Sequence, residues 1–185
     1  MIKDLLRETE GRMKKTLQVL EADLRAVRTG RASPALVERV MVEYYGTPTP
    51  LNQLAVISAP EPQLLTIRPY DPSSLSEIER ALLRSDLGLT PSNDGKIIRL
   101  TIPSLTEERR QELVRLVNRR IEEAKVALRN IRREAVDDLR EFEKEKMISE
   151  DDFYRARDDV QDLIDRYVKR VEEIGQRKAR EVMEI

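Results

Sequence analysis

Apolar positions along the chain follow two different rhythms. Up to residue 29 they fall at Leu6, Met13, Leu17, Leu20, Leu24 and Val27. Steps of three, four and seven residues put these side chains on one face of a helix. The same rhythm returns beyond residue 105. Leu113, Val117, Ile121, Ala124, Leu128, Ile131, Ala135, Leu139 and Phe142 form a second seam. Phe153, Ala156, Val160, Leu163, Tyr167, Val171, Ile174, Val182 and Ile185 form a third. Three seams with no other large apolar surface predict three helices packed on one another. Thr106 ahead of Glu107 and Glu108 reads as an N-cap followed by acids in the positive first turn. Ser149 ahead of Glu150, Asp151 and Asp152 reads as the same device, with Asp152 at capping-box spacing. Only Lys146-Met147-Ile148 separates the last two helices, so they are predicted to be antiparallel. At ~1.5 Å per residue, each would be a rod of about 55–60 Å.

Between these helices the texture changes. All nine prolines lie between residues 31 and 104, among short β-type runs. Val40 to Tyr44 alternates and ends near Gly46. Leu54 to Ser58 is closed by Ala59-Pro60, and Leu64 to Arg68 is closed by Pro69. Ser73 or Ser74 is placed to cap a short helix carrying Leu75, Ile78, Leu82 and Leu83. Asn93-Asp94-Gly95 marks a turn ahead of a strand from Ile97 to Ile102. The prediction is an α+β chain: a long antiparallel three-helix bundle, built from residues 1–29 and 105–185, split by a small β-rich α+β domain over 31–104. The two crossings, near 30 and 104, make Gly30, Arg31, Ser104 and Leu105 candidate hinge residues, with a fixed elbow as the alternative.

Composition narrows the chemistry. Of 185 residues, none is Cys and none is His, which excludes a Ser/His/Asp triad and any zinc site built on those ligands. No Gly-rich phosphate loop of either common type occurs, so direct nucleotide hydrolysis is not expected. The carboxylate pairs Asp151/Asp152 and Asp158/Asp159 fit capping and a solvated face better than a metal or acid/base role. No catalytic residue, cofactor or metal is expected. Acids in the first 29 residues argue against a targeting peptide, and no apolar run reaches the ~18–20 residues of a membrane span. The expectation is a cytoplasmic protein with no membrane partner.

A net charge of −1, from 34 basic and 35 acidic residues, predicts no polyanion partner by itself. Placement of the charges says more. At roughly 100° per residue, Lys125, Arg129, Arg132, Arg133 and Arg140 fall within an arc of roughly 100° on the second long helix, with the apolar seam roughly opposite. Glu122 and Glu143 bound the arc, and Arg115 extends it. Like charges at this spacing repel and weaken a helix, and a polyanion would offset that by pairing with the guanidinium forks. Without interleaved aromatics, phosphate and RNA-shape recognition fits better than base stacking. A solvated face or intra-bundle salt bridges remain the alternative at this level.

Particular segments carry a resemblance. They are Leu24 to Pro34 (LRAVRTGRASP), Val42 to Gly46 (VEYYG), Pro50 to Leu54 (PLNQL), Ser85 to Leu89 (SDLGL), Pro91 to Gly95 (PSNDG), Leu105 to Arg110 (LTEERR) and Arg129 to Glu134 (RNIRRE). In this order and spacing the chain resembles the ribosome recycling factor family along its whole length. The resemblance implies an L-shaped two-domain protein of near-tRNA dimensions, monomeric, with no chemistry of its own. It implies binding to the post-termination 70S ribosome. With elongation factor G and GTP, members of the family separate the subunits and release messenger and deacylated tRNA. Contacts to large-subunit ribosomal RNA carry over to Arg129, Arg132 and Arg133, with Arg28 and Arg31 near the hinge as further contacts. Lys125 is added from the helical arc alone. Two other classes stay open on the residues by themselves. One is a coiled-coil adaptor that binds a partner helix or itself, and the other is a carboxylate–magnesium enzyme.

Overall fold

The computed structural model describes residues 1–27 and 29–184. The chain divides into two compact units. One comprises Met1–Arg28 with Glu107–Glu184, and the other Thr29–Thr106.

The first unit contains α1 (Ile2–Arg25), and its two longer helices close the chain. Between them in sequence, the second unit holds β1 (Met41–Tyr44), β2 (Thr47–Pro50), a one-turn helix α2 (Leu51–Leu54), β3 (Ala55–Glu61), β4 (Leu64–Pro69), α3 (Leu75–Arg84), β5 (Pro91–Asn93) and β6 (Ile98–Thr101). The closing helices are α4 (Glu107–Lys144) and α5 (Glu150–Met183).

The three seams form the bundle's core, apart from Ile185, which lies outside the described residues. Met13, Leu20 and Leu24 of α1 are buried with Val117, Leu128 and Leu139 of α4 and with Val160, Tyr167 and Val171 of α5. Ile2, Leu5 and Leu6 pack where α4 ends and α5 begins, so α1 runs antiparallel to α4 and parallel to α5. The α4–α5 turn is closed by a Schellman pair, with Met147 N–H donating to the Phe142 carbonyl and Lys146 N–H to that of Glu143. Lys146 takes the left-handed position at φ 60°, where glycine is the usual occupant. Ser149 Oγ then accepts from the Asp152 amide and starts α5, as its position predicts. Gly175, outside the predicted seam, is buried where α5 meets α4: a Cβ there would lie 2.6 Å from Ile121 Cδ1. Tyr167 is fully buried, yet its hydroxyl donates to Glu10 Oε1 at 3.1 Å, so this polar atom does not go unpaired in the core.

The second unit has its own core. β3, β4, β6 and β5 form an antiparallel sheet in that order, and β1 and β2 form a separate hairpin. Leu65, Ile67, Ile98 and Leu100 from the sheet are buried with Ile78 and Leu82 of α3 and Val42 of β1. Tyr45 and Gly46 turn the hairpin with φ of 50° and 77°, the left-handed pair that matches strand twist. Tyr44 is half-buried and donates to Asp71 Oδ2, while Tyr45 is 82% exposed at the tip.

Several local expectations need correction. Leu54 ends α2 rather than starting a strand, and β3 continues through Pro60 to Glu61. β2 and β5 carry prolines that hid them. Both strands lie at an edge, β2 in a two-stranded ribbon and β5 at the end of the sheet order, where the missing N–H costs least. Neither Ser73 nor Ser74 accepts a capping hydrogen bond for α3. Asp71 accepts from the Ser73 amide and caps a 3₁₀ turn, Pro72–Ser74, that leads into the helix.

Candidate nucleic-acid interface

The basic arc lies entirely on α4, within the bundle. Its residues follow the helix period, so their positions relative to the core are set by the seam that buries Leu128, Ile131 and Ala135. The arc does not stand opposite that seam. One edge lies beside α5, because Lys125 and Arg132 sit only a few tens of degrees from buried positions. Lys125 Nζ reaches Glu172 Oε1 of α5 at 2.8 Å, and its side chain is 23% exposed. Arg132 Nη1 donates to Gln161 Oε1 at 3.3 Å. Gln161 in turn donates through Nε2 to Asp165 Oδ1 at 2.9 Å, which fixes the direction of its amide.

Away from α5 the arc opens to solvent. Arg129 is exposed and folds back two turns along its own helix, placing Nη2 2.8 Å from Glu122 Oε1. Long helical side chains lean toward the N-terminus, so this pairing follows from geometry. The Arg129 hydrogen bond is the main cause of a lowered Glu122 pKa, reinforced by the charges of Arg129 and Lys125. Arg133 and Arg140 are also exposed, and among the described residues neither makes a hydrogen bond or ion pair. Their positive charge is unspent.

The remaining predicted residues lie elsewhere. Arg28 falls outside the described residues. Arg31 belongs to the second unit, is exposed, and already has a partner. Gly30 adopts φ 76°, and a Cβ there would meet Leu105 Cγ at 3.2 Å. Ser104 Oγ accepts from Gln63 Nε2 at 2.6 Å, and Ala32 N–H donates to the Pro62 carbonyl at 2.7 Å. Both crossing segments are thus held side by side on the 62–63 loop of the second unit.

Gln161, Asp165 and Glu172 were not among the predicted site residues. A signal for them existed. When two antiparallel helices fold about the Met147 turn, residues equidistant from it face each other. Gln161 then mirrors Arg132, and Glu172 mirrors Lys125, to within a helical turn.

Other features offer less. An open groove of about 920 Å³ between α1 and α5 is lined by Asp159, Asp162 and Asp165 with Lys3, Arg7 and Arg166 interspersed. Among the described residues no group of three or more carboxylates is placed to hold a metal ion. No helix among them is long and apolar enough to cross a membrane.

Comparison with known proteins agrees along the whole length. The ribosome recycling factor family model matches residues 20–183. A ribosome-recycling factor from Roseiflexus castenholzii is 57% identical over 185 residues, covering 100% of both chains. One from Syntrophomonas wolfei is 55% identical with the same coverage. A solution structure of a ribosome recycling factor superposes with a TM-score of 0.79 at 41% identity, over 100% of this chain and 98% of that one. The T. thermophilus ribosome recycling factor, placed with E. coli elongation factor G on the E. coli post-termination complex, gives 0.67 at 45% identity over 100% of both chains.

Proposed function

This chain belongs to the ribosome recycling factor family, and from that premise we propose that it binds the post-termination ribosome and, with elongation factor G and GTP, splits the subunits and frees the ribosome from messenger. The observation that carries the reading is the family match together with the solvent-facing α4 arginines. Arg129, Arg132 and Arg133 meet large-subunit ribosomal RNA through phosphate contacts, with Lys125 at the edge of the same face and Arg28 and Arg31 as additional contacts. The family's partner supplies the GTPase, because this sequence has no phosphate loop. The protein acts as a monomer in the cytoplasm and catalyses no bond-making of its own. Gly30–Arg31 and Ser104–Leu105 form the hinge region through which the smaller unit, pushed by the GTPase, transmits force.

Arg132→Glu tests the α4 face. Arg132 hydrogen-bonds a neutral amide, so its replacement breaks no ion pair within the bundle. Circular dichroism should show helicity kept. Ribosome affinity should fall by about tenfold or more, with subunit splitting lost in parallel. Splitting at the original rate by a folded Arg132→Glu protein would show that this face does not bind RNA.

A further inference from the structure

The cations of the arc are not equivalent. Arg132 faces the neutral Gln161, and Arg133 and Arg140 are exposed and, among the described residues, make no hydrogen bond or ion pair, so none of the three is paired with a carboxylate there. Arg129 and Lys125 each already hold a carboxylate at 2.8 Å. To turn its whole guanidinium fork to a phosphate, Arg129 has to give up the Nη2 contact with Glu122, exchanging one anion for another, and the carboxylate then stands beside the phosphate. Most of the Coulombic gain of the new contact is cancelled by that exchange.

From this geometry we infer that Glu122 and Glu172 are built-in competitors of the RNA: they occupy the phosphate-binding positions of Arg129 and Lys125 in the free protein and hold down the affinity of the α4 face. The inference rests on the α4 reading proposed above. Both carboxylates are themselves exposed, 62% for Glu122 and 49% for Glu172, so displacement needs no rearrangement of the core. Exposed ion pairs are weak, which makes the competition reversible and moderate in size. Its effect falls on release. A factor that must leave after each cycle gains from a face whose phosphate contacts are partly balanced in advance, because affinity differences at one interface appear mainly in the off-rate.

Competition has a distinct salt signature. A free arginine that binds phosphate releases the RNA's counterions. A paired one also exposes a carboxylate that takes up a cation, which flattens the salt dependence. Removing Glu122 should therefore steepen the slope of log affinity against log salt, by less than the roughly 0.7–0.9 that one full phosphate contact contributes.

The test uses the full chain, isolated large ribosomal subunits and a salt series. Glu122→Gln should bind about two- to fivefold more tightly, with the steeper slope. Glu123→Gln removes a charge one residue away, from a carboxylate that pairs with Arg120 instead, and should leave the slope unchanged. The deciding measurement is the cost of Arg129→Gln in two backgrounds. If Glu122 competes, that substitution weakens binding more in the Glu122→Gln protein than in the parent. An equal, non-zero cost in both overturns the competition and leaves the α4 reading standing. No cost in either overturns both for Arg129. Glu172→Gln with Lys125→Gln forms the parallel cycle.

Discussion

Single residues set the local terms of this fold, and Asp94 is the clearest case. Its Oδ1 accepts from the amides of Lys96 and Ile97, and its Oδ2 from Arg99. The two backbone amides, then the arginine, hold its pKa down to about 2. A depressed carboxylate contributes stability above its unfolded pKa, and that contribution is lost as the pH falls through the folded value. The turn should therefore be fully supported above pH ~4 and released between there and about 2. Amide proton shifts of Lys96 and Ile97 should titrate with a midpoint near the lower value. A midpoint at the ordinary carboxylate value would show that these hydrogen bonds are absent in solution. Asn93-Asp94-Gly95 was readable as a turn because those residue types favour such backbone. That Asp71 rather than a serine would cap the turn into α3 was not, since it depends on where Pro72 lets the first helical turn begin.

At the scale of elements, the close approach of α4 and α5 depends on Gly175. An added Cβ there would press on Ile121 Cγ1 and Cδ1, both at 2.6 Å. Overpacking of this kind costs about 1–3 kcal/mol, against a helix-propensity gain of ~1 kcal/mol for alanine over glycine. Gly175→Ala should then destabilise the parent chain by up to ~2 kcal/mol. In an Ile121→Ala background the same change should be stabilising. Denaturant midpoints for the four proteins of the cycle measure this, and simple additivity would mean that the two side chains do not meet. The helices were legible from their seams because burial imposes the 3.6-residue period directly. The pairing of side chains across helices was legible only to within a helical turn, because its exact register also depends on the geometry of the Lys146 turn. For that reason the α4 arc could be drawn while its α5 partners stayed unseen. β2 and β5 were missed for a different reason: their prolines disguise strands that only an edge position tolerates.

For the molecule as a whole, the charge is close to balanced in total and unevenly placed. The proposed function, a monomer that binds the ribosome, predicts that the chain sediments as one species at all concentrations when alone. Its association with ribosomes should weaken steadily as salt rises. A coiled-coil adaptor would do the reverse, forming larger species with concentration and binding with little dependence on salt. Analytical sedimentation of the chain, alone and with ribosomes across a salt series, separates the two. Salt-independent binding would remove the phosphate-contact basis of the proposed function.

The bundle is discontinuous in the chain, and this matters before the protein is complete. During synthesis α1 emerges first, with Met13, Leu20 and Leu24 lacking the partners that cover them later. Those partners begin at Glu107, so at ~5–20 residues per second the helix stands uncovered for several seconds. The inserted unit can complete its own core in that interval, since Thr29–Thr106 is finished before α4 starts. Its assembly holds Gly30 against Leu105, bringing together two positions far apart in sequence. The insertion thus shortens the loop that the nascent bundle has to close, and a part that interrupts the rod in sequence helps it to assemble.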